Sequence, residues 1–292
     1  MMLPKGAIHG TPITPRWVLD EALSENKRAF LVNHFTPNDD QWCDENSLFW
    51  VGDNGVFPLW QAAKKAAKAK GERFDGIVYT QERFESYVAW CRKWCLGGSG
   101  RCKWVAIPDP IGTSTQELDA FLSMWPADLK DYGVPVYHLD EPIDRAVMLL
   151  RNFGRLCVGA VGEYEVIPSP TFCERMDELF DCIWDAFGYI PPVHMFRGLQ
   201  LLKPEFHWPV TSGDSTDRAR NHHELKWRKA PIRLKSFKPA ETTLFSDLPA
   251  FRAHPVPREE YLMKVKASFD RWDNFGRKRS LEWKPREERL AA

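Results

Sequence analysis

The chain has 292 residues, and its 40 Lys and Arg residues balance 40 Asp and Glu residues, which gives a formal net charge of zero. Hydrophobic residues make up 43% and charged residues 27%, a composition that excludes an intrinsically disordered or collagen-like chain. There is no run of about 18 apolar residues, and the first residues lack the apolar segment of a signal peptide. We therefore expect a cytoplasmic protein with no membrane partner and with its seven cysteines reduced.

Short β-rich runs alternate with helix-length amphipathic stretches from the start of the chain almost to residue 215, which is typical of parallel βα units. The predicted strands are residues 29–33, 48–52, 104–108, 134–139, 156–161, 193–198 and 208–212. The predicted helices are residues 15–24, 59–69, 81–94, 115–125, 143–153, 170–187 and 259–275. We predict an α/β fold, with residues 1–221 forming a (β/α)8 TIM-like barrel. A dinucleotide-binding sheet is disfavoured because no Gly-x-Gly-x-x-Gly motif joins a strand to a helix.

A basic region follows the predicted barrel. Residues 201–292 hold 20 Lys and Arg against 13 Asp and Glu, whereas residues 1–200 hold 20 against 27. Lys and Arg that neutralise phosphates supply most non-specific affinity for nucleic acids. We therefore predict that residues 222–292 form a basic C-terminal extension that packs on the barrel and contacts nucleic acid, with a solvated basic surface as the alternative. The predicted nucleic-acid-binding residues are Arg197, Arg218, Arg220, Lys226, Arg228 and Lys229.

Four aspartates stand after predicted strands: Asp53, Asp109, Asp140 and Asp214. Because the carboxyl ends of barrel strands share one face, we expect these side chains to converge there. Paired carboxylates can divide the chemistry, one remaining ionised as a nucleophile and another acting as a general acid or base. Glycosyl transfer uses this arrangement, while capping of a helix is the structural alternative for each aspartate.

Three motifs resemble those of tRNA-guanine transglycosylases. Residues 53–57, Asp-Asn-Gly-Val-Phe, resemble the Asp-Ser-Gly-Gly-Phe/Tyr loop of that family, and residues 160–163 resemble its Ala-Val-Gly-Glu strand end. Residues 212–216, Ser-Gly-Asp-Ser-Thr, stand where the family carries its nucleophilic aspartate. With the additional runs 194–198 and 214–221, the chain is more similar to the phage and bacterial DNA-modifying branch, the DpdA-type 7-deazaguanine DNA transglycosylases. The resemblance covers roughly residues 5–225.

This resemblance implies a TIM barrel and a specific reaction. Asp214 would attack the anomeric carbon of a deoxyguanosine, Asp53 would handle protons, and a 7-deazaguanine such as preQ0 would replace guanine. No cofactor and no metal are expected. The implied base-binding residues are Asp109, Val161, Gly162, Met195, Gly198 and Asp140. The residues that could additionally line the site are His9, His194 and Phe57.

DNA and a free 7-deazaguanine base are the expected partners, and the sequence indicates no oligomeric state. The tRNA enzymes hold a structural zinc through a cysteine cluster after the nucleophile, yet this chain has no cysteine after Cys182, which favours DNA over tRNA. A tRNA-guanine transglycosylase acting on RNA remains an alternative. Others are a metal-dependent barrel hydrolase that uses Asp214 and His194 as ligands, a two-carboxylate carbohydrate hydrolase, and a non-catalytic nucleic-acid-binding barrel.

Overall fold

The computed structural model of the protein describes residues 3–13, 16–20, 28–36, 38–74, 76–215, 258–278 and 280–284. Within these ranges, nine strands pair in parallel in one sheet, in the order β5-β4-β3-β2-β1-β9-β8-β7-β6. The strands are β1 Gly6–Gly10, β2 Ala29–Asn33, β3 Phe49–Asp53, β4 Cys102–Ala106, β5 Gly133–Val134, β6 Val136–His138, β7 Leu156–Gly159, β8 Val193–Met195 and β9 Ser212–Ser215.

The sheet closes into a barrel because its two edges belong to one continuous stretch of chain. Only Pro135 separates β5, which pairs with β4, from β6, which pairs with β7. Proline has no N–H to give to a ladder, so it divides the stretch into two short strands. Its carbonyl still accepts a hydrogen bond from the backbone N–H of Cys157 at 2.9 Å. If β5 and β6 are counted as one strand interrupted by Pro135, the barrel has eight strands. The predicted TIM-like fold is confirmed.

Helices surround the barrel. They are α1 Arg16–Val18, α2 Asp39–Asn46, α3 Val56–Lys70, α4 Gln81–Cys91, α5 Thr115–Met124, α6 Ile143–Phe153, α7 Pro170–Phe187 and α8 Arg258–Lys278. The helix α7 shows why some bounds follow from the sequence. The Ser169 hydroxyl accepts a hydrogen bond from the backbone N–H of Phe172, proline occupies the first helical position, and Gly188 ends the helix in the left-handed conformation.

The two faces of each strand contribute to different cores. Alternate side chains point into the barrel, where Leu31, Val51, Val134 and Val136 pack around the large ring of Trp104. The intervening side chains point outward and pack under the helices, as Phe30 and Trp50 do on neighbouring strands. We call the position of a residue in this alternation its parity, and residues of inward parity point into the barrel. A residue at the carboxyl end of a strand therefore reaches the mouth of the barrel only if its parity is inward.

The largest differences from the sequence prediction concern three elements. Neither β1 nor α2 was predicted, because β1 is short and bounded by glycines, and α2 is rich in acidic residues with little apolar periodicity. The last strand was predicted at residues 208–212 but is observed at Ser212–Ser215. Its inward positions are polar, so it lacks the apolar alternation that marks ordinary strands.

The helix α8 packs on the outside of β1, where Gly276 lies against the backbone of Gly6 and Ala7. Beyond it, Trp283 is buried against the ring of Phe180 in α7. The predicted boundary between residues 221 and 222 lies outside the described residues. Within the described ranges, each helix is too short or too polar to span a lipid bilayer.

Candidate active site

A cavity of about 450 Å³ opens at the carboxyl ends of the strands. Volumes of this order are usual for small-molecule sites in proteins. Three carboxylates line it, those of Asp53, Asp109 and Asp214. The rings of Phe35, Phe57 and Phe196 and the guanidinium of Arg197 complete much of its wall. The expected convergence of strand-end aspartates is therefore observed for three of the four residues.

Asp214 is held firmly at one oxygen. It is 2% exposed at the inward side of β9, and its Oδ1 accepts a hydrogen bond from the backbone N–H of Arg197 at 2.9 Å. The Nε2 of His194, from the neighbouring strand β8, lies 3.3 Å from the same oxygen. No described residue donates a hydrogen bond to Oδ2. The second oxygen is thus the one that Asp214 can present to a ligand.

His194 connects Asp214 to the strand that carries it. Its ring is fully buried beside Trp104, and its Nδ1 lies 2.9 Å from the hydroxyl of Ser212. In a neutral imidazole whose Nε2 donates to the carboxylate of Asp214, Nδ1 accepts from the hydroxyl of Ser212. This tautomer makes a chain of donors that runs from Ser212 through His194 to Asp214.

The turn after β8 places the second donor. Arg197 has φ 55°, a left-handed conformation that is uncommon for residues other than glycine and concentrates at functional sites. Gly213 permits the turn to approach β9, because a Cβ at this position would lie 2.8 Å from the carbonyl oxygen of Gly198. The side chain of Arg197 donates to the carbonyl of Ala160 and lies over the ring of Phe57, 4.6 Å from its centroid.

Asp53 occupies the inward position at the end of β3. Its Oδ2 accepts a hydrogen bond from Asn33 at 3.0 Å, and its Oδ1 accepts from the backbone N–H of Gly55 at 3.3 Å. Loss of solvent raises the pKa of Asp53 to about 7, and the negative charges of Asp109 and Asp214 act in the same direction. A group with this pKa can both give and take a proton near neutral pH.

Asp109 is the centre of a second hydrogen-bonded group. Its Oδ1 accepts from the side-chain amide of Asn54 at 2.6 Å, and its Oδ2 lies 2.9 Å from Nε2 of His138. Burial favours the neutral imidazole, but the hydrogen bond and charge of Asp109 outweigh it and raise the pKa of His138 above its usual value. Each oxygen of Asp109 keeps a further lone pair that can accept from a ligand.

Six of the residues singled out in the sequence line the cavity, namely Asp53, Asp109, Asp214, Phe57, Val161 and Arg197. His194 lies directly behind Asp214. Gly198 belongs to the turn beneath β9, where a Cβ would overlap the side chain of Met195. Asp140 is exposed beside Gly162, and neither residue is part of the cavity wall.

Strand parity corrects the expected positions of Met195 and His9. His194 points into the barrel, so its neighbour Met195 points outward and packs in the buried layer beneath the helices. In β1 the inward residue is Ile8, and His9 points outward. The Nε2 of His9 lies 2.9 Å from Asp273 of α8. These two residues are part of the packing between barrel and helices and do not line the site.

Three cavity residues whose side chains hydrogen-bond Asp53 or Asp109 were not singled out in the sequence: Asn33, Asn54 and His138. Asn33 ends a predicted strand two residues after the inward-pointing Leu31. His138 stands in a predicted strand four residues after the inward-pointing Val134. Both therefore share the inward parity. Parity within the predicted strands was therefore a signal that could have identified both. Asn54 follows Asp53, and its side chain also donates to the carbonyl of Ile107.

The predicted nucleic-acid-binding residues other than Arg197 lie outside the described residues, and they are Arg218, Arg220, Lys226, Arg228 and Lys229. In the part of the chain that the structure describes, no group of three or more His, Cys, Asp or Glu residues is arranged to hold a metal ion.

The sequence matches no protein-family model, and no curated protein matches it. Among solved structures, the chain is similar to N-acetylneuraminate lyase from Mycoplasma synoviae, with 12% sequence identity and a TM-score of 0.37. The match covers 98% of this chain and 94% of that chain. At this level of similarity the likeness carries no information about the reaction.

Proposed function

We propose that this protein is an enzyme that exchanges guanine in DNA for a 7-deazaguanine base such as preQ0, through a covalent bond between Asp214 and the sugar. The observation that carries the proposal is the environment of Asp214. Its Oδ1 is fixed by His194 and the backbone of Arg197, while its Oδ2 accepts no hydrogen bond from a described residue. A carboxylate fixed in this way is preorganised for attack on an electrophilic carbon.

In the first half of the reaction, Oδ2 of Asp214 forms a bond to C1′ of a deoxyguanosine while the bond from C1′ to N9 breaks. The departing guanine takes a proton from Asp53. The raised pKa of Asp53, about 7, keeps a large share of this carboxyl protonated at neutral pH. Asp53 is thus suited to proton transfer and Asp214 to nucleophilic attack, the two roles that these steps require.

In the second half, Asp53 accepts the proton from N9 of the incoming deazaguanine. N9 then bonds to C1′ and Asp214 is released, so the enzyme returns to its starting state with no net oxidation or reduction. Asp109 reads the base in both halves, because the remaining lone pairs of its two oxygens can accept from adjacent N–H groups of a guanine-like edge.

One sequence feature supports DNA over tRNA as the substrate, and a second supports a nucleic acid of either kind. The chain has no cysteine after Cys182, where the tRNA enzymes carry their zinc ligands, and eight Lys and Arg residues stand between positions 218 and 238 against a single acidic residue. Because the sugar of a stacked nucleotide cannot reach Asp214 inside the barrel mouth, the target nucleotide enters flipped out of the duplex or from a single strand.

Trapping of the covalent intermediate tests this function. The protein is mixed with a guanine-containing single-stranded oligodeoxynucleotide in the absence of any deazaguanine, and the denatured product is digested and mapped by mass spectrometry. We expect a sugar adduct on Asp214. Asp214→Asn should lower adduct formation by at least about a thousandfold, because the amide is not a nucleophile. The matched control is Asp131→Asn, an exposed aspartate that precedes β5 at the opposite end of the barrel.

An oligoribonucleotide of the same sequence is run in parallel. An adduct with RNA alone would reassign the substrate to RNA. If neither oligonucleotide gives an adduct, or if Asp214→Asn forms it as fast as the wild type, the proposed reaction is wrong.

A further inference from the structure

The helix α3 stands between β3 and α4, beside the mouth of the cavity. Only its first residue, Val56, is buried, and the half-buried rings of Phe57 and Trp60 pack against the core. Phe57, Pro58 and Gln61 line the cavity. The first turns of α3 thus belong to the site, whereas most of its length faces solvent.

The exposed part of α3 is strongly basic. The helix contains four lysines and no acidic residue, and Glu72 is the first acidic residue after it. Lys64, Lys65 and Lys68, which we call the lysine stripe, are all exposed. At 3.6 residues per turn, Gln61, Lys64 and Lys68 share one face of the helix, while Lys70 lies on the opposite face. The stripe therefore continues the face that lines the cavity, over about 10 Å.

The charges of the cavity and of the lysine stripe are opposite. Three carboxylates stand inside the cavity, and they repel phosphate but can accept hydrogen bonds from the N–H groups of a base. Outside, the lysines attract phosphate. Arg197 lies over Phe57 at the cavity rim, and Lys64 lies over Trp60, 4.4 Å from the ring centroid. Positive charge thus runs from the rim along the helix.

We infer that the lysine stripe binds the phosphate backbone of the DNA strand whose nucleotide enters the cavity. This inference rests on the proposed function and names a binding surface for its polymeric substrate within the described part of the chain. The arrangement separates the two parts of a nucleotide by charge, with the base and sugar inside the acidic cavity and the flanking phosphates on the basic helix.

The triple variant Lys64→Gln, Lys65→Gln, Lys68→Gln tests the inference in the full chain. Binding of a fluorescein-labelled single-stranded oligodeoxynucleotide is measured by anisotropy across a range of salt concentrations. We expect affinity to fall roughly tenfold at low salt, and the slope of log affinity against log salt to become shallower by about 2, because three phosphate contacts are lost. At subsaturating DNA, the rate of adduct formation should fall in proportion to the lost affinity.

The matched control replaces three exposed lysines that precede strands at the opposite end of the barrel, Lys5, Lys93 and Lys130, by Gln. It makes the same change of net charge and should leave affinity and slope nearly unchanged. Melting temperatures verify that both variants are folded. Equal losses in the two variants would overturn the inference, as would no loss in the stripe variant or no DNA binding by the wild type.

These outcomes are distinguishable from failure of the proposed reaction. If the stripe variant loses affinity but the wild type forms no adduct on Asp214, the DNA-binding surface stands and the chemistry is wrong. If the adduct forms and the stripe variant binds DNA normally, the chemistry stands and the backbone binds elsewhere.

Discussion

Two of the His–Asp pairs with a buried imidazole lie at different places in this barrel, and their comparison shows what distinguishes a structural pair from a candidate catalytic one. His9 and Asp273 join β1 to α8 on the outside of the barrel, with 2.9 Å between Nε2 and Oδ1. His194 and Asp214 lie at the inner mouth, with 3.3 Å between the equivalent atoms. Both imidazoles are almost completely buried. The types of residue and the burial of the imidazole therefore do not separate the two pairs.

The second oxygen of each carboxylate does separate them. Oδ2 of Asp273 accepts from the guanidinium of Arg28, so both oxygens are occupied. Partial burial alone would raise the pKa of Asp273, but the hydrogen bond from His9 and the charge of Arg28 lower it overall. Oδ2 of Asp214 has no described hydrogen-bond donor and belongs to a residue of the cavity wall. Between these two pairs, Asp273 has both oxygens occupied and joins α8 to the barrel, whereas Asp214 lies at the cavity and has one oxygen to present to a ligand.

The largest effect on stability is expected from breaking the outer pair. Asp273→Ala should lower the free energy of unfolding by about 3 kcal/mol, because it leaves the buried side chain of Arg28 with Asp270 as its remaining carboxylate partner. Urea unfolding followed by tryptophan fluorescence measures this loss. The rate of adduct formation by the folded variant should not change. A large loss of that rate at unchanged stability would mean that the outer pair also serves the site.

The inner pair should respond in the opposite way. His194→Leu removes the donor to Asp214 and should slow adduct formation by about 10- to 100-fold, since hydrogen bonds to charged groups contribute about 1.5–3 kcal/mol. Single-turnover rates at saturating DNA measure this effect. His194→Gln retains an N–H donor and should recover part of the rate, whereas DNA affinity should be the same in both variants. If Gln and Leu were equally slow, His194 would act through packing alone.

The smallest effect concerns the pH dependence of stability. The pKa of Asp53 rises from an ordinary 3.8 to about 7 on folding, so the folded protein holds a proton that the unfolded chain releases. Wild-type stability should therefore fall as pH rises through this interval. Asp53→Asn lacks this dependence. From pH 5 to pH 8, the wild type should therefore lose roughly 1–3 kcal/mol of unfolding free energy relative to the variant. Urea unfolding at both pH values tests it, and an unchanged difference would contradict the raised pKa.

The bounds of several helices and strands of the barrel could be predicted from the sequence, because the apolar pattern and the capping residues agree with the burial that the structure shows. The bounds of α6 and α7 coincide with the predicted helices 143–153 and 170–187, since each has a strong amphipathic pattern and a glycine directly after its last residue. The strand β2 was predicted at its observed bounds because its apolar run is interrupted only at the last position, by Asn33. Asp53, Asp109 and Asp214 were likewise identified from their positions after predicted strands.

The parts that could not be predicted depend on parity and on long-range pairing. The bounds of β9, Ser-Gly-Asp-Ser, cannot be predicted from the local sequence. Its inward residues are polar and belong to the site, so the strand lacks the apolar alternation of core strands. Since β1 was not predicted, its parity was unknown, and His9 could not be assigned to the outer face. Met195 was assigned to the pocket by resemblance, while the pairing of β8 with β7 and β9 turns it outward.

Because α3 is mostly exposed, residues on its surface can change more easily than the residues inside the cavity. Substitutions at exposed positions usually alter stability by no more than about 0.5 kcal/mol. Of the fifteen residues of α3 only Val56 is buried, whereas the carboxylates of the cavity are tied to the strands by hydrogen bonds. The exposed positions of the helix can therefore accept new side chains at little cost to folding. Substrate preference can then evolve, or be engineered, on α3 while the reacting groups stay fixed in the barrel.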